Sequence, residues 1–117
     1  MGAVENSVTK ACVAYLSIKG AFVWRNNSRT VMVPGKGGKP RPMFFGYPGS
    51  PDILGVLPGG RMIGVECKRP LGPRGGTRGS DQSDDQKAFQ SEMQRRGGLY
   101  VLARSLDDLV KAMEGIK

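Results

Sequence analysis

The chain contains no histidine. That absence removes Ser-His-Asp hydrolysis, histidine-based zinc sites and every nuclease mechanism with a histidine general base. Any chemistry must run on carboxylates, lysine, metal ions or water. Cysteine is scarce as well: Cys12 and Cys67 are the only two, with no C-x-x-C spacing. A zinc ribbon or a disulfide scaffold is therefore not expected, and a reducing, intracellular setting fits. No apolar run reaches the roughly 18 residues of a membrane span. The N-terminus has no charged-then-apolar leader pattern, so the protein is expected to stay in the cytoplasm where it is made. Acidic residues are few, 10 against 18 Lys and Arg, which leaves a net charge of +8. A chain this basic points to nucleic acid, through phosphate neutralisation and counterion release. A generic basic surface is the alternative reading.

What remains is enough for one ordinary domain spanning residues 1–117. Val4, Val8, Ala11, Cys12, Tyr15 and Leu16 recur at helical spacing. They predict an amphipathic helix over about residues 3–19, ended by Gly20, with Cys12 in the core. Residues 21–25, AFVWR, read as a strand. TVMV at 30–33 reads as its hairpin partner, joined through Asn26-Asn27-Ser28. Trp24 on such a strand reads as core, with contact to DNA or a partner subunit as the alternative. Residues 34–42, PGKGGKPRP, offer nothing to pack. They read either as an arm that follows a phosphate backbone or as a solvated loop.

ILGVL at 53–57, a Pro58-Gly59-Gly60 turn and RMIGVECK predict two strands and a tight turn. A second basic, Gly-rich loop, RPLGPRGGTRGS, follows at 69–80. Helical spacing returns from about 84 to 96, with Gly97 as a C-cap. Ser83-x-x-Gln86 fits a capping box at its start. LYVLA at 99–103 is a short strand, and Ser105 caps a last helix with Leu106, Leu109, Val110, Met113 and Ile116 on one side. The expected fold is α/β, a mixed sheet flanked by helices in the order α-β-β-β-β-α-β-α.

The central hairpin carries the functional argument. With its turn centred on Gly59, positions equidistant from that glycine face one another, and Asp52 stands opposite Glu66. Side chains at such paired positions lie about 4.5–5.5 Å apart at Cβ. The strand period places Lys68 on the same face as Glu66. Two carboxylates this close repel, so one tends to hold a proton unless a cation intervenes. Mg²⁺ or Mn²⁺ suits such a pair, because hard divalent ions prefer carboxylate oxygens. Lys68 beside them adds a compact positive charge for the attacking water or the charged phosphate. Metal, acid pair and lysine are the parts that phosphodiester hydrolysis needs. Each residue also has a plainer reading, as turn chemistry for Pro51-Asp52 and as an exposed strand edge for Glu66 and Lys68.

Tyr47-Pro48-Gly49-Ser50-Pro51-Asp52-Ile53 and Val65-Glu66-Cys67-Lys68, followed by a helix bearing Gln86, resemble the PD-(D/E)xK nuclease superfamily. The pattern is closest to the VRR-NUC (virus-type replication-repair nuclease) family, and the likeness runs from Glu5 to about Ala103. It implies a restriction-endonuclease-like fold. It implies metal binding by Asp52, Glu66 and the backbone carbonyl of Cys67, with Glu5 on the first helix as a further ligand. Lys68 and Gln86 join Asp52 and Glu66 as catalytic residues. Lys36, Lys39, Arg41, Arg69, Arg74 and Arg78, in the two basic loops, are the expected DNA contacts. Stand-alone phage members of the family resemble Holliday junction resolvases, so the likeness implies a homodimer that cuts four-way DNA junctions. A monomeric flap endonuclease or exonuclease, and a DNA-binding module without catalysis, are the alternatives.

Overall fold

The computed structural model describes residues 3–27, 29–70 and 82–116, without the side chains of residues 3–5. The chain begins with α1 (Ala3–Ile18), β1 (Phe22–Arg25) and β2 (Arg29–Pro34). A single 3-10 turn (Lys36–Gly38) leads into β3 (Pro40–Phe45), followed by β4 (Ile53–Val56), β5 (Met62–Cys67), α2 (Asp84–Arg95), β6 (Leu99–Ala103) and α3 (Leu106–Glu114). The fold is α/β, as expected, with one strand more than the sequence pattern suggests. No helix of the described residues is long and apolar enough to cross a membrane.

Four strands form a mixed sheet in the order β1-β4-β5-β6, and β2 and β3 form a separate two-stranded ribbon. β1 and β5 both pair antiparallel with β4. β6 runs parallel to β5, which requires the crossover through α2. The β4–β5 register pairs Ile53 with Val65 and Leu54 with Gly64. These pairs are equidistant from Gly59, so the turn sets the alignment as its position suggests.

Two expectations fail in the first half of the chain. β1 and β2 do not form a hairpin, because β1 pairs with β4 and β2 with β3. Asn26 is no hairpin turn. Its amide donates to the Asp52 carbonyl at 2.7 Å. Its Nδ2 donates to Ser50 Oγ at 2.7 Å and to the Pro51 carbonyl at 3.0 Å. Residues 34–42 are not a featureless loop either, since Pro34 pairs with Pro40 and Val33 with Arg41 at the end of the ribbon. Prolines are tolerated there because a two-stranded ribbon is all edge, and a missing N–H breaks no interior ladder.

Strand alternation divides the sheet into two faces. Ile53, Ile63, Val65, Cys67, Val101 and Ala103 face α1 and α3 and make the core with Cys12, Leu16 and Leu109. Gly64 lies on the other face, where a Cβ would meet Pro51 Cγ at 2.8 Å and Met93 Cε at 2.9 Å. That close approach brings α2 down onto β5. Beyond α2 the same face is open, with Phe22, Trp24, Val56 and Met62 all exposed. Trp24 is therefore not a core residue; its ring tilts against Phe22 with centroids 5.5 Å apart.

Gly55 shows how tightly β1 and β4 approach. A Cβ there would lie 2.3 Å from the Phe22 carbonyl oxygen and 2.7 Å from the Val23 Cα. Backbone cannot give way as a side chain can. Gly55→Ala is expected to lower unfolding free energy by about 1–3 kcal/mol. The loss should appear as a lower urea midpoint at unchanged m-value; an unaltered midpoint would contradict the tight crossing.

Candidate active site

β5 places Glu66 on the α2 face of the sheet, next to Gly64 in alternation, and buries it to 5% exposure. Asp52 enters the same face from the residue just before β4. Its Oδ2 accepts the Cys67 amide at 2.8 Å, so the acid pair is joined by the continuing β4–β5 register. A strand residue turns its N–H and C=O to the same edge, and the carbonyl of Cys67 is thereby directed to the Asp52 side. Lys68 follows β5, and its Nζ lies 4.0 Å from Glu66 Oε2.

Gln86 meets Lys68 from α2. Its Oε1 accepts both Lys68 Nζ and the Ser83 amide, each at 2.9 Å. The Gln86 amide in turn donates to Ser83 Oγ, which completes the capping box. One side chain therefore closes the helix and reaches the lysine, and the two readings of Gln86 describe the same geometry. Gly49 lets this happen. Its φ is +79°, and a Cβ would lie 2.2 Å from the Asp85 carbonyl oxygen, so only glycine lets the 47–50 turn rest on the first turn of α2.

The result is a cleft of about 440 Å³ lined by Phe44, Pro48, Gly49, Ser50, Asp52, Glu66, Ser83, Asp85 and Gln86. Burial, the nearby Asp52 charge and a hydrogen bond to Asp52 push Glu66 up to about 9, against a partial pull from Lys68. Glu66 Oε1 is buried without a hydrogen-bond partner. Tyr100, on the same face, is pushed up to about 12 by burial, with its hydroxyl taking a hydrogen bond from Gln82. Cys67 Sγ points the other way, to Cys12, whose hydrogen bond together with burial raises the Cys67 thiol.

A buried carboxylate with one unanswered oxygen beside a second, half-buried one is a poor arrangement for anions and a good one for a hard cation. Among the described residues no group of three His, Cys, Asp or Glu side chains is placed to hold a metal ion. A cation here would thus rest on Asp52, Glu66 and the Cys67 carbonyl and keep several waters, as Mg²⁺ commonly does. The residues present fit that group.

The other expected residues are less gathered. Glu5 lies in α1, but its side chain is outside the described residues. Lys36, Lys39, Arg41 and Arg69 are exposed: the first two near the ribbon tip, Arg41 on β3, and Arg69 just past Lys68 with its carbonyl accepting Arg104 at 2.9 Å. Arg74 and Arg78 lie outside the described residues. Asn26, Gly49 and Phe44 are the residues that sequence reasoning missed. Only Gly49 had a signal, its place inside the Tyr47–Ile53 motif.

No protein-family model and no curated protein matches this sequence. Its fold does have a solved counterpart. A structure described as a VRR_NUC domain matches 99% of this chain and 100% of its own length, with a TM-score of 0.65 and 19% sequence identity. The class of fold is thus a mixed sheet with helices on both faces, and its particular form is that of the VRR_NUC domain.

The raised Glu66 makes a testable statement about the metal-free protein. The folded state favours a proton on Glu66 that the unfolded state releases near the ordinary carboxyl value of 4.5. Its stabilising contribution is therefore full below about pH 4.5 and is lost progressively as pH rises to about 9. In metal-free buffer, thermal melts should show Glu66→Gln gaining on the wild type as pH is raised from 5 to 9. Parallel curves over that range would show that Glu66 is not held protonated.

Proposed function

We propose that the chain is a divalent-metal-dependent deoxyribonuclease hydrolysing phosphodiester bonds, with Asp52, Glu66, Lys68 and Gln86 as its catalytic set. The observation that carries this is the buried Glu66 beside the half-buried Asp52, with an unpartnered Glu66 oxygen and Lys68 within 4.0 Å. The VRR_NUC fold supports it, since that fold suggests nuclease chemistry. Mg²⁺ or Mn²⁺, held by Asp52, Glu66 and the Cys67 carbonyl, would supply Lewis-acid polarisation of the phosphate and an acidified water. Lys68 Nζ would stabilise the charge growing on the phosphoryl oxygens, and it does so best when it is already in place. Gln86 is the positioning residue that fixes Nζ, with the cap of α2 holding Gln86 in turn. Glu5 is a further candidate ligand.

DNA is the substrate that the +8 charge and this chemistry favour. Lys36, Lys39, Arg41 and Arg69 are exposed cations that would neutralise phosphates, and Arg74 and Arg78 are proposed for the same role. We further propose a homodimer acting on branched DNA such as a four-way junction. The exposed apolar set Phe22, Trp24, Val56 and Met62, lying on one face of β1, β4 and β5, favours a second copy over solvent. Two symmetric active sites suit two symmetric cuts.

Asp52→Asn and Lys68→Ala should each reduce cutting of labelled DNA by on the order of a thousandfold or more, while junction binding stays within a few-fold. The assay uses junction, flap, duplex and single-stranded substrates with Mg²⁺ and with Mn²⁺. Cleavage that survives either substitution refutes the assignment. Separately, light scattering at micromolar concentration should report twice the 12.6 kDa chain mass, and Trp24→Glu should return a monomer. A monomeric wild type would favour the flap or exonuclease reading.

A further inference from the structure

Phe44 is the one aromatic residue in the wall of the acidic cleft. Its ring is 43% exposed, and the ring–ring contacts of the described residues engage Phe22 with Trp24 and Tyr47 with Phe89, leaving Phe44 out. Exposure of a large aromatic beside two carboxylates has no stabilising purpose for the fold.

The ribbon that carries Phe44 is sorted by charge. Alternation and register put Phe44 on one face with Pro42, Pro40, Thr30, Met32 and Pro34. That face holds no charge and ends at the cleft. The cations of the strands, Arg29 and Arg41, lie on the opposite face, with Lys36 and Lys39 near the tip. Residues 29–47 contain no Asp or Glu at all. A polyanion reaching the ribbon therefore meets cations on one face and near the tip, and on the other face an uncharged surface that ends in Phe44 at the cleft.

We infer that Phe44 stacks on an unpaired nucleobase next to the bond cut at the acid pair, and so selects strands whose bases are free. This rests on the nuclease reading and adds a specificity determinant to it. The physical reason is access. A base within continuous duplex has both faces covered by its neighbours, and an inserted ring must first unstack it. A base at a branch or in a single strand offers an open face to an aromatic ring. The charge pattern selects nucleic acid over a peptide for the same surface, because a peptide gives the four cations no regular partner.

The test uses 2-aminopurine, whose fluorescence falls on stacking, placed at each nucleotide flanking the branch point of a junction. The probe also goes into a continuous duplex, with Ca²⁺ present during binding. Wild type and Phe44→Tyr should quench one branch-point position, and Phe44→Ala and Phe44→Leu should not. In cleavage assays with Mn²⁺, Phe44→Ala and Phe44→Leu should lower kcat/KM on branched or single-stranded substrate by on the order of tenfold. Cutting of continuous duplex should stay within about twofold. Melting temperatures near wild type keep these variants interpretable, since Phe44 is exposed. Equal losses on both substrates, or unchanged probe fluorescence in a wild type that cuts, would overturn the stacking role alone. Quenching by a wild type that cuts nothing would overturn the nuclease reading instead.

Discussion

The hydrogen bond from the Cys67 amide to Asp52 Oδ2 is the contact on which the site depends. It continues the β4–β5 ladder by one step after the backbone of β4 has turned away, using a side chain in place of a carbonyl. The substitution brings a carboxylate to the end of a buried strand, opposite another carboxylate. Everything nearby responds to that crowding. Glu66 is pushed toward its protonated form, Lys68 leans in from the next position on its face, and Gln86 of α2 reaches that lysine. Asn26, the approach of Gly49 to α2 and the buried Pro51 hold the rest of the loop before β4.

The same constraint explains the division of labour between the two faces. The face toward α1 and α3 is uniformly apolar and carries the core. The face toward α2 is where the polar chemistry collects, because the helix reaches only part of it. Gly64 and Gly49 bring α2 close enough for its capping residue to touch Lys68. The helix N-terminus therefore serves as a rigid mount. One of its orphan amides, that of Gln86, donates to Ser83 Oγ, and the glutamine that completes the cap has a second lone pair to offer the lysine.

Much of the site was legible in the sequence because it lies on a hairpin with a well-marked turn. Pro58-Gly59-Gly60 sets the pairing, and the register then places Asp52, Glu66 and Lys68 without further information. Gln86 was readable as a cap from local spacing alone. What escaped was non-local or compositional. Asn26-Asn27-Ser28 has the makings of a turn, yet Asn26 is bound to Ser50 and Pro51, far along the chain. β3 was hidden by its prolines and cations, since a ribbon with no buried face shows no hydrophobic alternation. Trp24 looked like core because residue type is a weak guide on an edge strand, where the tertiary contacts decide.

The ribbon begins just after Arg25 and the chain is back in the sheet by Ile53, and those two residues are register partners. Topologically it is an excursion that leaves and re-enters at one spot. Residues can be added to it or taken away without moving any strand of the four-stranded sheet, much as a surface loop tolerates insertion. The acid pair has no such freedom, since a single residue gained between Asp52 and Glu66 would break their alignment. The ribbon and the acid pair are thereby parts with very different tolerance for change. Under the proposed nuclease function, substrate preference would sit in the tolerant part and bond cleavage in the intolerant one, and a change of arm length alone would suffice to exchange one target for another.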